Sequence, residues 1–91
     1  MNRRAYRVSV VIRPLAEVVD PQGATVEAGL RDLGYSGVSN VRAGKLIELD
    51  VEAASEDEAA TLAKNMSERL LANPVIEQFD VRVGEAKEIS A

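Results

Sequence analysis

A change of period inside Asp20–Leu49, DPQGATVEAGLRDLGYSGVSNVRAGKLIEL, constrains this chain more than any other feature. Asp20 offers a carboxylate to the free N–H groups of a first helical turn. Pro21 has its φ already set for the first helical position, where its missing N–H costs nothing. A helix therefore starts at Pro21. Val26, Leu30 and Leu33 recur at spacings of four and three, which puts them on one apolar stripe, with Glu27, Arg31 and Asp32 away from it. The stripe predicts a helix that faces a core. Gly34 suits the left-handed residue that closes a helix, and Tyr35 can fold back on the last turn. Beyond it the period falls to two. Val38 to Ala43 reads as a short strand, Ala43-Gly44 as a tight turn, and Lys45 to Glu52 as a longer strand. Ile47, Leu49 and Val51 point to one side of that strand, and Leu46, Glu48, Asp50 and Glu52 to the other.

The flanking segments repeat the plan. Tyr6, Val8, Val10 and Ile12 alternate with Arg7, Ser9, Val11 and Arg13 as a first strand that Pro14 ends. Ser55-Glu56-Asp57-Glu58 has the capping-box pattern, worth about 1 kcal/mol of helix stability. The helix it starts carries Ala59, Leu62, Ala63, Met66 and Leu70 on one stripe and stops at Asn73-Pro74. Phe79, Val81 and Val83 alternate with polar residues as a last strand, and the polar stretch from Gly84 to Ala91 is expected to fray. One domain over residues 1–84 with a flexible tail over 85–91 follows. The order strand, helix, strand, strand, helix, strand predicts an α+β fold of the β-α-β-β-α-β ferredoxin-like kind, a four-stranded antiparallel sheet with two helices on one face.

Composition narrows the function. Eleven basic against fifteen acidic residues give a net charge of -4, which argues against a binder of phosphate backbones. The sequence has no cysteine and no histidine, so disulfides, thiolate or imidazole metal sites, cysteine nucleophiles and the commonest general base are unavailable. No apolar run approaches the roughly 20 residues that span a bilayer, and Met-Asn-Arg-Arg leads into a strand without an apolar leader, so a cytoplasmic location is expected. A chain of 91 residues leaves much of its surface in water, and help from a partner would add stability.

Surfaces for such a partner can be named. Leu15, Val18 and Val19 are aliphatic residues in a connector where turn residues are expected, and Val11 and Leu46 lie on the outward side of the sheet. All five are candidates for burial between chains. Arg42 and Lys45 flank the glycine turn and can hold a phosphate or a partner's carboxylate; the plainer reading is a solvated hairpin tip. Asp20 and Gln22 present polar groups at a helix N-terminus, where capping by Asp20 is the competing reading. Glu56, Asp57 and Glu58 are consecutive on a helix and point apart, so they make no metal cage. No catalytic, cofactor-binding or metal residue emerges. An acylphosphatase-like reading has only Arg13 and Asn40 as stand-ins and lacks the glycine-rich phosphate loop. A small-molecule-sensing regulatory domain of the same topology is the alternative to an adaptor.

DPQG at the first helix, LGYSGVSNVRAGKLIEL after it and LANPVIE at the end of the second resemble the PurS family, the small subunit of phosphoribosylformylglycinamidine (FGAM) synthase. The likeness runs from Tyr6 to Val83, with the motifs in family order and spacing; RPLAEVVDPQG departs from the more usual lysine-proline-glycine lead-in. The resemblance implies a non-catalytic subunit of a ligase complex in purine biosynthesis. It would join a glutaminase subunit (PurQ) to a large synthetase subunit (PurL), associate with itself as a dimer or tetramer, and help ammonia pass between them. No cofactor is expected on this chain; ATP and glutamine are used by the partner subunits.

Overall fold

Strand β1 (Arg4–Pro14) is the axis of the computed structural model, which describes residues 3–88. Its alternation works as the period requires: Tyr6, Val8, Val10 and Ile12 face one side and are buried, the last three completely. Each such side chain contributes about 1.5–3 kcal/mol relative to exposure. Strand β2 (Lys45–Ala53) and strand β3 (Glu77–Glu88) lie on either side of β1, both antiparallel to it, in the order β2-β1-β3. The register matches apolar residues across strands: Val8 stands opposite Leu49 and Val83, and Val10 opposite Ile47 and Val81.

Helix α2 (Glu56–Met66) covers this apolar face through Ala59 and Ala63, both fully buried, with Leu62 packed beside them. Its start makes the forward bond of the predicted capping box, and the return bond falls one residue early, on Ala54 rather than on the N-cap Ser55. The Glu58 N–H donates to Ser55 Oγ at 3.1 Å, and the Glu58 carboxylate reaches back to accept from the Ala54 N–H at 3.3 Å. A π turn (Ser67–Leu71) then interrupts the helical period. Ser67 is buried and donates its hydroxyl to the Ala63 carbonyl at 2.8 Å. The wider turn rotates Leu70 off the expected stripe, leaving it 83% exposed, while Leu71 packs against the core and Ala72 is buried.

Helix α1 (Pro21–Asp32) has the predicted ends. The Gly23 N–H donates to the Asp20 carboxylate at 3.0 Å. At the other end Gly34 takes φ 103°, the Gly34 N–H donates to Arg31 O at 2.9 Å and the Tyr35 N–H to Leu30 O at 3.0 Å, a double closure that requires the left-handed glycine.

Three expectations are corrected. The sheet has three strands among the described residues, not four, because Val38 to Ala43 does not join it. Asn40 adopts φ 56°, which breaks an extended run, and the backbone groups of the segment are taken up by side chains of α1 instead of a strand ladder. The two helices do not share the sheet face either: α2 lies on it, whereas the α1 stripe stays largely open, with Val26 46% and Leu33 76% exposed and only Leu30 half-buried. Finally, β3 does not end at Gly84. Its register slips by one residue there, between the Val8–Val83 and Tyr6–Ala86 pairs, and the strand continues to Glu88 opposite Arg4. A glycine inside a strand marks a bulge as readily as a stop. Residues 89–91 of the expected tail lie outside the described residues.

Candidate interaction surface

The connector between β1 and α1 and the irregular segment before β2 form one knot, tied by side chains. Asp20 is its centre. One carboxylate oxygen accepts from the Gly23 N–H and the other from the Ala43 N–H at 2.7 Å, so a single side chain caps α1 and anchors the far segment. Those two hydrogen bonds, the Gly23 one first, hold the Asp20 carboxyl below the usual carboxylate range. A carboxylate committed in this way makes a poor general base.

Arg42 ties the other side. Its guanidinium donates to the Leu15 and Val18 carbonyls, both at 2.8 Å, and so closes the connector into a loop. Along α1, Glu27 accepts from the Val41 N–H at 3.2 Å and Arg31 donates to the Val38 carbonyl at 2.7 Å. α1 therefore turns its Gly23–Glu27–Arg31 edge toward the chain and leaves Val26 and Leu33 of its apolar stripe outside, with Leu30 half-buried.

The predicted residues divide accordingly. Val19 is 84% exposed and borders an open groove of about 400 Å³ with Ala24, Ala28, Asn40 and Val41. Leu15 and Val18 are half-buried by their own chain. Leu46 is exposed on the open sheet face, directly opposite the half-buried Val11. Around that pair, Arg7 meets Asp50 at 3.2 Å and Glu48 at 3.6 Å, and Arg13 meets Asp80 at 3.6 Å. Gln22 shares a small hollow with Lys45 and Glu77, and Lys45 pairs with Glu77 at 3.7 Å. Arg42 and Lys45 are therefore brought near one another but spend their charge on the chain's own acceptors.

Sequence reasoning missed Glu27 and Arg31, which read as solvated, and Leu70, which read as core. The spacing of four between Glu27 and Arg31, beside an extended segment of uncertain pairing, was the available signal for the first two. For Leu70 the sequence held none. Among the described residues no group of three or more acidic, histidine or cysteine side chains is placed to hold a metal ion, and no helix is long and apolar enough to cross a membrane.

Comparison with known proteins gives one answer. The sequence profile described as PurS, phosphoribosylformylglycinamidine (FGAM) synthase, matches residues 7–85. The FGAM synthase subunit PurS of Synechocystis is 49% identical over 73 residues, covering 80% of this chain and 71% of that protein. The crystal structure of the purS subunit from Thermotoga maritima superposes with a TM-score of 0.83 at 34% identity, covering 91% of this chain and 95% of that one. A chain in the structure of PurLQS from the same organism superposes with a TM-score of 0.79 at 35% identity, covering 91% and 99%. With 49% identity to one relative over 73 residues and residues 7–85 matched by the profile, this chain belongs to the PurS family.

Proposed function

We propose that this chain is the small, non-catalytic subunit of a cytoplasmic FGAM synthase, bridging a glutaminase and a synthetase subunit in purine biosynthesis. The observation that carries the reading is its likeness, over nearly its full length, to a chain of the PurLQS assembly. Its own chemistry agrees. The sequence supplies no histidine or cysteine, and Asp20 is consumed by two backbone N–H groups. Exposed aliphatic side chains, Val19 and Leu46 among them, instead offer contact area.

A bridge has a physical purpose here. Glutaminase releases ammonia, which is mostly protonated at neutral pH, and ammonium is no nucleophile. A path sealed from water between the two active sites keeps ammonia neutral and prevents its loss. ATP and glutamine are bound by the partner subunits, and this chain serves by holding those subunits in register.

The experiment is reconstitution of the three subunits with and without this chain. Omitting it should abolish most glutamine-dependent amidation of formylglycinamide ribonucleotide while amidation from added ammonium salts persists. Unchanged glutamine-dependent synthesis would overturn the proposal.

A further inference from the structure

Arg13 and Asn40, the two residues that could stand in for a phosphate-holding pair in the sequence, line one hollow of about 370 Å³ together with Arg42, Gln78, Pro14 and Ala16. Separate parts of the fold bring them there. Arg13 and Gln78 are register partners on β1 and β3, and both are exposed on the open face of the sheet. Asn40 and Arg42 come from segment 38–43, which the knot around Asp20 and Arg42 ties to the connector that follows β1. Pro14 and Ala16 give the hollow an apolar wall.

The donors around this hollow are largely unused. Closing the connector takes only Nη2 of Arg42, and among the described residues its Nε and Nη1 donate to nothing. The side-chain amides of Asn40 and Gln78 are likewise without partners among the described residues. Arg13 meets only Asp80, at 3.6 Å, with both side chains more than half exposed. Acidic residues outnumber basic ones fifteen to eleven in this chain, yet none of the six that line the hollow is acidic. An adjoining hollow of about 360 Å³ shares Arg13 and Arg42 and adds Lys45, so three cations converge at this end of the sheet. Asn40 holds φ 56°, the one positive value taken by a residue other than glycine among the described residues. Asparagine bears that conformation better than most side chains, and such departures concentrate where a side chain is aimed at a ligand.

We propose that this hollow binds a phosphoryl group, with Arg13 and Arg42 supplying the charge and the Asn40 and Gln78 amides donating to the remaining oxygens. Guanidinium forks match the spacing of phosphate oxygens and stay protonated throughout the physiological range, and the amides add donors that need no counter-charge. The hollow is larger than a phosphoryl group and falls among small-ligand pockets of roughly 300–1,000 Å³, so Pro14 and Ala16 can carry the body of a phosphate monoester. No lining residue is a nucleophile or a base at neutral pH, so the site holds its ligand without cleaving it. This goes beyond the subunit reading and does not depend on it.

The isotope-labelled full chain is titrated with inorganic phosphate and with glycerol 3-phosphate at constant ionic strength, and the resonances of Arg13, Asn40, Arg42 and Gln78, side chains included, are followed. Both probes should give saturable shifts centred on these four residues, and acetate and chloride should not. The ratio of the two affinities tells free phosphate from phosphate carried on an organic body. Arg13→Gln removes one charge-assisted contact and should weaken binding about tenfold. Asp80→Asn removes the carboxylate that competes for Arg13 and should tighten binding roughly two- to fivefold, a gain that no loss of folding can imitate. Shifts that track ionic strength alone, acetate bound as tightly as phosphate, or an affinity unmoved by either substitution would overturn the proposal. The titration needs neither partner subunit, so its failure would leave the three-subunit reconstitution standing, and failure of the reconstitution would leave the titration standing.

Discussion

The same substitution at two glycines of α1, six positions apart, should change stability in opposite directions. Gly29 has open space where a Cβ would sit, with nothing of its own chain within 4 Å. Alanine there gains the helix propensity that glycine lacks, about 0.5–1 kcal/mol, which for a chain of this size raises Tm by roughly 2–8 °C. At Gly23 a Cβ would overlap the Val41 carbonyl oxygen and stand 2.6 Å from the Asp20 carboxylate. A carbonyl cannot swing aside as a flexible side chain can, so the α1 backbone must move away from segment 38–43. Overpacking of this kind costs about 1–3 kcal/mol, which exceeds the propensity gain and leaves a net loss of up to about 2 kcal/mol. The shift also strains the bonds from Val41 and Ala43 to Glu27 and Asp20, so the loss should come with faster amide exchange at those two residues. Thermal melts of both variants at one chain concentration, with hydrogen exchange, test this. A Gly23→Ala variant stabilised as much as Gly29→Ala would refute the docking of α1 on segment 38–43.

Other perturbations follow from the same knot. Arg42→Ala removes both donors to the Leu15 and Val18 carbonyls; global stability should fall by only about 1 kcal/mol, while hydrogen exchange and proteolysis rise selectively across 15–19. Because folding lowers the Asp20 pKa, its contribution to stability is complete above the unfolded value near 3.8 and is lost as pH falls below that through the folded value. Asp20→Ser, which retains a helix cap, should therefore flatten the pH dependence of unfolding below about pH 4. Arg7→Ala breaks ion pairs whose members are half exposed, and urea titration should find a change within about 0.5 kcal/mol. A larger loss would mean that the open sheet face is covered.

What the sequence made legible were features decided within a turn or two of chain. Asp20-Pro21, Ser55 to Glu58 and Gly34 each satisfy local backbone groups, so their residues announce them whatever lies elsewhere. The alternation in β1 and β2 was equally plain, since one buried face forces a two-residue period. Among the candidate interface residues Val19 and Leu46 are exposed, whereas Val11, Leu15 and Val18 are half-buried within the chain. The role of Arg42 did not show, because its two acceptors are main-chain carbonyls more than twenty positions away.

The misread segments share a different cause. Val38 to Ala43 has the composition of a strand, but a strand is defined by a neighbour that accepts its backbone bonds, and here Glu27, Arg31 and Asp20 take those bonds first. Once they do, the polar edge of α1 is the edge that docks, and the stripe of Val26 and Leu33 that predicted a core is turned outward. The π turn acts alike on α2, where one residue of extra winding exchanges Leu70 for Leu71 in the core. In each case the apolar pattern was read correctly and its destination was not. An apolar stripe states that something will cover it; it does not state that the cover comes from the same chain. Under the bridging role proposed above, that distinction separates a failed fold prediction from the address of an interface.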